Sequence, residues 1–262
     1  MHAHFSHAIV CLPAPNFAEG LTTVDLGTPD YALALAQHAH YCRVLEECGL
    51  RLTVLPPDPR HPDSTFVEDT AILTDHGALL TWPGAASRSG EVAAMRAALS
   101  SFYPMLAAIT PPGVLDGGDI CEAGQHVLIG ISARTNAAGA AQLAQWLASQ
   151  GYTADIIDIR STPGILHLKS GLAYLGDNRM VVIDALAEHP ALAGYELVRV
   201  DAAEAYAANC IRVNDRVLIP AGFPRLCARL RDLGYAVVEV EMSEFRKMDG
   251  GLSCLSLRFL RT

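Results

Sequence analysis

Apolar residues along the chain keep two alternating rhythms. Some stretches repeat them three and four residues apart, which makes one helical face, and others run as short β-branched blocks that read as strands. The first helical pattern covers 30–48, with Thr28 as N-cap, Pro29 in the first turn where its missing N–H costs nothing, and Gly49 as the stop. Its expected core stripe is Tyr31, Leu35, Cys42 and Leu45. Val92, Met95, Leu99 and Phe102 predict a second helix over about 90–102, and Leu143, Trp146 and Leu147 a third over 136–150. A short helix is expected near 186–193, and a fifth over 224–233 with Leu226, Leu230 and Leu233 inward.

After the first, third, fourth and fifth helices the pattern repeats a glycine followed by a strand, at Gly49, Gly151, Gly194 and Gly234. The period is about 40 residues, or two such periods where the second helix lacks its glycine. Each unit opens with a short segment, expected as a strand, that carries unusual polar residues: Phe66-Val67-Glu68-Asp69, Leu115-Asp116-Gly117-Gly118-Asp119, Leu166-His167-Leu168-Lys169, Ala208-Asn209-Cys210-Ile211 and Leu252-Ser253-Cys254-Leu255. The last opening has no helix after it, so the helix at 30–48 must serve it and close a ring. A closed ring leaves no exposed sheet edge. The expectation is an α/β fold: a five-unit α/β propeller with pseudo-five-fold symmetry around a central active site, rather than a doubly wound sheet. Residues 1–262 form one domain in this reading.

Composition removes several classes. Nineteen Lys+Arg against 28 Asp+Glu give a net charge of −9, and the chain has no basic run. That argues against nucleic acid and anionic lipid as partners, while the sign suits a cationic small substrate or simply solubility. Seven cysteines without a C-x-x-C pair point to free thiols in a reducing compartment. No apolar run approaches the ~20 residues of a membrane span, and the first residues lack a signal-peptide pattern. The expected location is cytoplasmic. His2, His4 and His7 lack an acidic or cysteine partner and read as incidental rather than as a metal site.

If the openings converge, the centre holds Glu68, Asp69, Asp116, Asp119, His167, Lys169 and Cys254. Each alone has a structural reading: a core histidine between leucines, a buried inert thiol, aspartates capping a Gly-Gly turn. Their shared phase in the repeat favours chemistry instead. A cysteine, a histidine and a carboxylate supply a nucleophile, an acid/base and an orienting group. Glu68 and Asp69, on alternate faces of a strand, suit a planar guanidinium, and Arg88 and Arg134, in loops ahead of the second and third helices, suit a carboxylate at the cleft mouth. No dinucleotide loop, Walker A sequence, G-x-S-x-G elbow or zinc spacing occurs.

Several segments carry a resemblance. They include Glu19-Gly20-Leu21-Thr22, Pro62-Asp63-Ser64-Thr65-Phe66-Val67-Glu68-Asp69, Pro83-Gly84-Ala85-Ala86-Ser87-Arg88, Leu115-Asp116-Gly117-Gly118-Asp119 and Ser132-Ala133-Arg134-Thr135-Asn136. Leu166-His167-Leu168-Lys169-Ser170, Ala207-Ala208-Asn209-Cys210-Ile211 and Lys247-Met248-Asp249-Gly250-Gly251-Leu252-Ser253-Cys254 complete them. With these, the chain resembles the dimethylargininase family (dimethylarginine dimethylaminohydrolases) of the guanidino-group-modifying, pentein-fold superfamily, nearly end to end. The resemblance implies hydrolysis of asymmetric dimethylarginine or monomethylarginine to citrulline and an amine, with no metal or organic cofactor. It implies Cys254 as nucleophile, His167 as general acid/base and Asp116 as its orienting carboxylate. Asp69, supported by Glu68, would hold the guanidinium, and Arg88 and Arg134 the substrate carboxylate. Asp63 and the carbonyls of Leu21 and Met248 would take the ammonium, with Asp249 a further pocket carboxylate. The implied partner is a small cationic amino acid, with room for a homodimer. The chain departs from the pattern at Trp82 and Ser89, which stand where arginines are expected. The alternatives are a deiminase acting on another guanidino compound and a non-catalytic binding ring.

Overall fold

Each strand block takes its place in a three-stranded sheet, and the sheets repeat one plan. The computed structural model describes residues 4–261. In chain order the elements are β1 (His7–Cys11), α1 (Tyr31–Glu47) and β2 (Arg51–Leu55), then β3 (Ala71–Thr74), β4 (Gly77–Leu80), α2 (Glu91–Leu99) and β5 (Leu106–Ala108). Next come β6 (Ile120–Ala123), β7 (His126–Ile131), α3 (Ala137–Ser149) and β8 (Thr153–Asp158), then β9 (Leu172–Gly176), β10 (Arg179–Ile183), α4 (Asp184–Ala187) and β11 (Glu196–Val200). The chain ends with β12 (Ile211–Val213), β13 (Arg216–Pro220), α5 (Pro224–Asp232), β14 (Ala236–Val240), α6 (Ser243–Arg246) and β15 (Leu257–Phe259).

Four sheets take consecutive strands, β3-β4-β5 through β12-β13-β14, and the fifth is β15-β1-β2. In every sheet the first pair is antiparallel and the second parallel. A parallel pair needs a crossover, and the helices supply it. The ring closes where β1 meets β15 through His7↔Phe259, Ala8↔Arg258 and Ile9↔Leu257. This is the expected five-unit propeller. Its apolar core lies between neighbouring units, as where Leu128 of β7 shares one buried cluster with Leu172 and Val181 of the next sheet. Among the described residues no helix is long and apolar enough to cross a membrane.

Several local expectations change. Asp30, not Thr28, caps α1, its Oδ1 accepting the Leu33 N–H at 3.0 Å. The buried stripe of that helix is Ala34, Gln37, His38, Tyr41, Val44 and Leu45. Tyr41, fully buried, sets this rotation by bonding Leu252 O at 3.0 Å and Ser256 Oγ at 2.6 Å, a polar dock that apolar spacing does not reveal. The helix expected at 186–193 breaks into α4 and a short 3-10 turn at Pro190–Leu192, because Pro190 cannot continue a helix. Leu233 lies beyond α5 and is exposed. Of the N-terminal histidines, His2 lies outside the described residues, and His7 belongs to β1 and stacks on Phe259.

The largest correction concerns the five openings. Four are built on 3-10 turns rather than strands, at Val67–Thr70, Gly117–Asp119, Leu168–Ser170 and Ser253–Leu255, and the one at 208–211 runs from the end of a 3-10 turn, Ala202–Ala208, into β12. The physical reason is that their side chains bond backbone N–H groups of the next turn. Asp69 Oδ1 accepts from Gly118 N at 2.8 Å, and Asp119 Oδ1 from Leu168 N at 3.0 Å. Backbones come close as well: a Cβ on Gly117 would lie 2.0 Å from Glu68 O. Gly117→Ala should therefore cost roughly 1–3 kcal/mol of stability by overpacking. Thermal melts check this, with Gly194→Ala, which would meet nothing within 4 Å, expected to melt near the parent temperature.

Candidate active site

The turns gather the expected chemistry around one cavity. It measures about 680 Å³ and its wall includes Glu68, Gly118, His167, Lys169, Asp249 and Cys254. His167 immediately precedes the third turn as its N-cap, and Cys254 lies within the fifth. His167 Nε2 stands 3.1 Å from Asp116 Oδ2, while Asp116 Oδ1 accepts the Gly84 N–H at 2.7 Å. Asp116 is fully buried behind the imidazole. Burial pulls the imidazole down, but the Asp69 charge and the Asp116 hydrogen bond outweigh it and raise His167 to about 9. The imidazole is thus a cation at neutral pH. Cys254 is partly exposed, and its Sγ accepts the Gly251 N–H at 3.4 Å. Burial, with the Glu68 and Asp69 charges, pushes its thiol well above the usual range.

Asp69 and Arg88, expected on opposite ends of a ligand, meet each other. Arg88 is 5% exposed, not at the mouth, and its Nη1 reaches Asp69 Oδ2 at 2.5 Å. Its Nε and Nη2 hold the Glu91 carboxylate, and Nη2 also donates to Phe66 O at 2.9 Å. A guanidinium taken out of water must be paired, and Asp69 and Glu91 do that. Glu68 and Asp69 lie on a turn, not on alternate faces of a strand. Both Glu68 oxygens are also engaged, Oε1 with Lys169 Nζ at 2.6 Å and Oε2 with Ser253 Oγ at 2.8 Å. Asp119 is buried under the histidine turn and accepts Ser132 Oγ at 2.6 Å.

The remaining expected residues sit around the segment that follows Gly20. Asp63 accepts the Leu21 N–H at 3.0 Å, and Asp249 accepts the Thr23 N–H. Burial raises the Asp63 carboxyl, opposed by the nearby Arg88 charge, the Leu21 N–H and Arg134. Met248 is buried, and Arg134 is half-buried with no ion pair among the described residues. Asp69, Asp116 and His167 bring one ligand-type atom each within 4.8 Å of one another. All four of those carboxylate oxygens already have protein partners. The sequence reading missed Ser253, Asn209 and Glu91 as parts of this assembly. For the first two the repeat phase was an available signal, since each sits in one of the five openings, as Glu68 and His167 do.

A closed ring of five α/β units that brings a cysteine, an aspartate-paired histidine and buried carboxylates to its axis is a pentein-type propeller. The family described as arginine deiminase matches residues 54–218. An N(G),N(G)-dimethylarginine dimethylaminohydrolase of Pseudomonas aeruginosa is 45% identical over 97% of this chain and 100% of its own length. Another, of Streptomyces coelicolor, is 34% identical over 96% of each. The chain belongs to the dimethylarginine dimethylaminohydrolase family. A solved structure of the Pseudomonas aeruginosa protein, a cysteine-to-serine mutant complexed with citrulline, matches with a TM-score of 0.95 at 44% identity. That match covers 98% of this chain and 100% of the other.

The raised imidazole has a consequence for stability. Its folded value, about 9, lies above the ordinary 6.5, so its contribution is complete below about pH 6.5 and is lost as pH rises through 9. Thermal melts from pH 6 to 10 should show a steeper decline for the parent than for His167→Gln. Equal slopes would mean that the imidazole is not held as a cation.

Proposed function

We propose that this protein hydrolyses Nω-methylated arginines, asymmetric dimethylarginine and monomethylarginine, to citrulline and dimethylamine or methylamine. The observation that carries the reading is Cys254 sharing one cavity with a histidine whose Nε2 is paired to a buried aspartate. The family supplies the substrate class. In this reading the whole chain works as one catalytic domain, and the seven free thiols suit a cytosolic location.

The resting thiol is protonated, because burial and two carboxylates oppose the thiolate. A guanidinium entering the cavity reverses that balance by placing a cation beside the sulfur. As the guanidinium docks the thiol releases its proton to solvent, and the thiolate attacks the guanidinium carbon. His167, protonated through Asp69 and Asp116, gives its proton to the departing amine, which is otherwise a poor leaving group. A cationic thiouronium remains on Cys254. The now neutral His167 takes a proton from water, the hydroxide adds to the same carbon, and collapse expels the sulfur with the ureido product while the adduct's hydroxyl proton passes to the departing thiolate, restoring the thiol. Asp116 keeps the imidazole oriented throughout.

Substrate contacts divide among the other residues. Asp63, Asp249 and the carbonyls of Leu21 and Met248 take the ammonium, and Arg134 the carboxylate. Arg88 is assigned here to keep Asp69 charged, since Asp69, Glu91 and backbone carbonyls occupy every guanidinium nitrogen. Asp69 and Glu68 act on the substrate guanidinium through charge, with their oxygens held by protein donors. The direct test is citrulline release from asymmetric dimethylarginine, with free arginine in parallel because of the arginine deiminase family match. Cys254→Ser should keep substrate binding by calorimetry and lose turnover by roughly 10³-fold or more. Undiminished turnover in that variant would overturn the nucleophile assignment.

A further inference from the structure

We propose that Asn209 is a positioning residue that sets the separation of Cys254 and His167 by bridging the turns that carry them. This rests on the reading above that those two residues do the chemistry. Asn209 directly follows the fourth turn and is 5% exposed. Its Nδ2 donates to Lys169 O at 2.9 Å, two residues after His167, and to Ser253 Oγ at 3.0 Å, one residue before Cys254. Its Oδ1 accepts the Ser253 N–H at 2.9 Å. Both amide protons and the carbonyl are thereby used, and exchanging O and N would set each against a group of its own kind. The amide has one workable orientation.

The bonds continue into a closed circuit. Glu68 accepts only, so Ser253 Oγ must give it its proton and must receive from Asn209. Glu68 in turn holds Lys169 Nζ at 2.6 Å, and the Lys169 carbonyl returns the chain to Asn209. Four residues from four units thus fix one another's direction of donation. Asn209 also presses on the start of the cysteine turn: a Cβ on Gly251 would lie 2.5 Å from the Asn209 side chain. Gly251 is the residue whose N–H meets the Cys254 sulfur and whose carbonyl accepts the Cys254 N–H at 3.2 Å. Packing at Gly251 and hydrogen bonds at Ser253 therefore hold the nucleophile turn at two points just ahead of Cys254. Asn209 lines the cavity, yet spends its polar atoms on the protein.

Removing the bridge frees the cysteine turn to shift against the histidine turn. A misplacement of about 1 Å costs on the order of 10²-fold in rate. It also frees the Ser253 hydroxyl and changes how Glu68 bears on the thiol. The test compares Asn209→Ala, isosteric Asn209→Asp, Ser253→Ala and the Asn209→Ala/Ser253→Ala double variant, each first checked by thermal melting. Asp keeps the acceptor for Ser253 N–H but turns the bridging donor into a second acceptor. The expected results are a fall in kcat of about 10²-fold in each single variant with KM changed less than about 3-fold, and a double variant no worse than the poorer single. The pH profile of Cys254 alkylation by iodoacetamide, followed by mass spectrometry, should also move. Alkylation needs no substrate, so it reads the bridge even if dimethylarginine yields no citrulline, an outcome that would count against the proposed activity alone. If Asn209→Ala fails to fold, Asn209→Asp carries the test. Parent-like kcat and alkylation profile in the folded Asn209 variants, or additive losses in the double variant, would overturn the proposal.

Discussion

Closure of the ring is the constraint on which everything else depends. Three residue pairs between β1 and β15 join the two ends of the chain, and only then do five turns face one axis. Once they face it, side chains from three of the openings satisfy backbone donors of the next: Asp69 serves Gly118, Asp119 serves Leu168 and Asn209 serves Ser253. A buried N–H without a partner costs about 1–3 kcal/mol, so the polar residues at these positions have structural work even before any ligand arrives. These side chains let polar turns be buried.

That double duty explains how an acidic centre is tolerated. Glu68, Asp69, Asp116 and Asp119 are all nearly or fully buried, and isolated charges there would be prohibitive. Each is compensated. Glu68 meets Lys169, Asp69 meets Arg88, Asp116 meets His167, and Asp119 collects a hydroxyl and an amide. The remaining imbalance is chemically useful, because it holds the imidazole as a cation and discourages the thiolate in the absence of a cationic ligand. The site is organised to respond to positive charge.

The sequence carried much of this in readable form. Helical spacing located α3 and α5 to within a residue or two at each end, and the repeating glycines marked where strands resume. Three of those glycines, Gly49, Gly151 and Gly234, adopt the left-handed conformation that ends a helix cleanly. The repeat phase also collected His167, Glu68 and Cys254 into one list before any coordinates, and they share one cavity. Tyr41 and His38 escaped because their burial depends on polar partners. Arg88 was misplaced for a related reason. An arginine in a loop reads as solvent-facing unless its acidic partners are known, and Asp69 is nineteen residues away in the chain.

Sequence alone determined the alternation of elements, the five-fold repeat, the need for the N-terminal helix to complete the last unit, and the short set of residues able to do chemistry. These are local or periodic properties, written in spacing and residue type. Only the tertiary structure decided that four of the openings are turns, which carboxylate meets which cation, and that Asn209 links the cysteine and histidine turns. Such pairings join groups far apart in the chain, and their geometry is set by the angle at which the units pack around the axis.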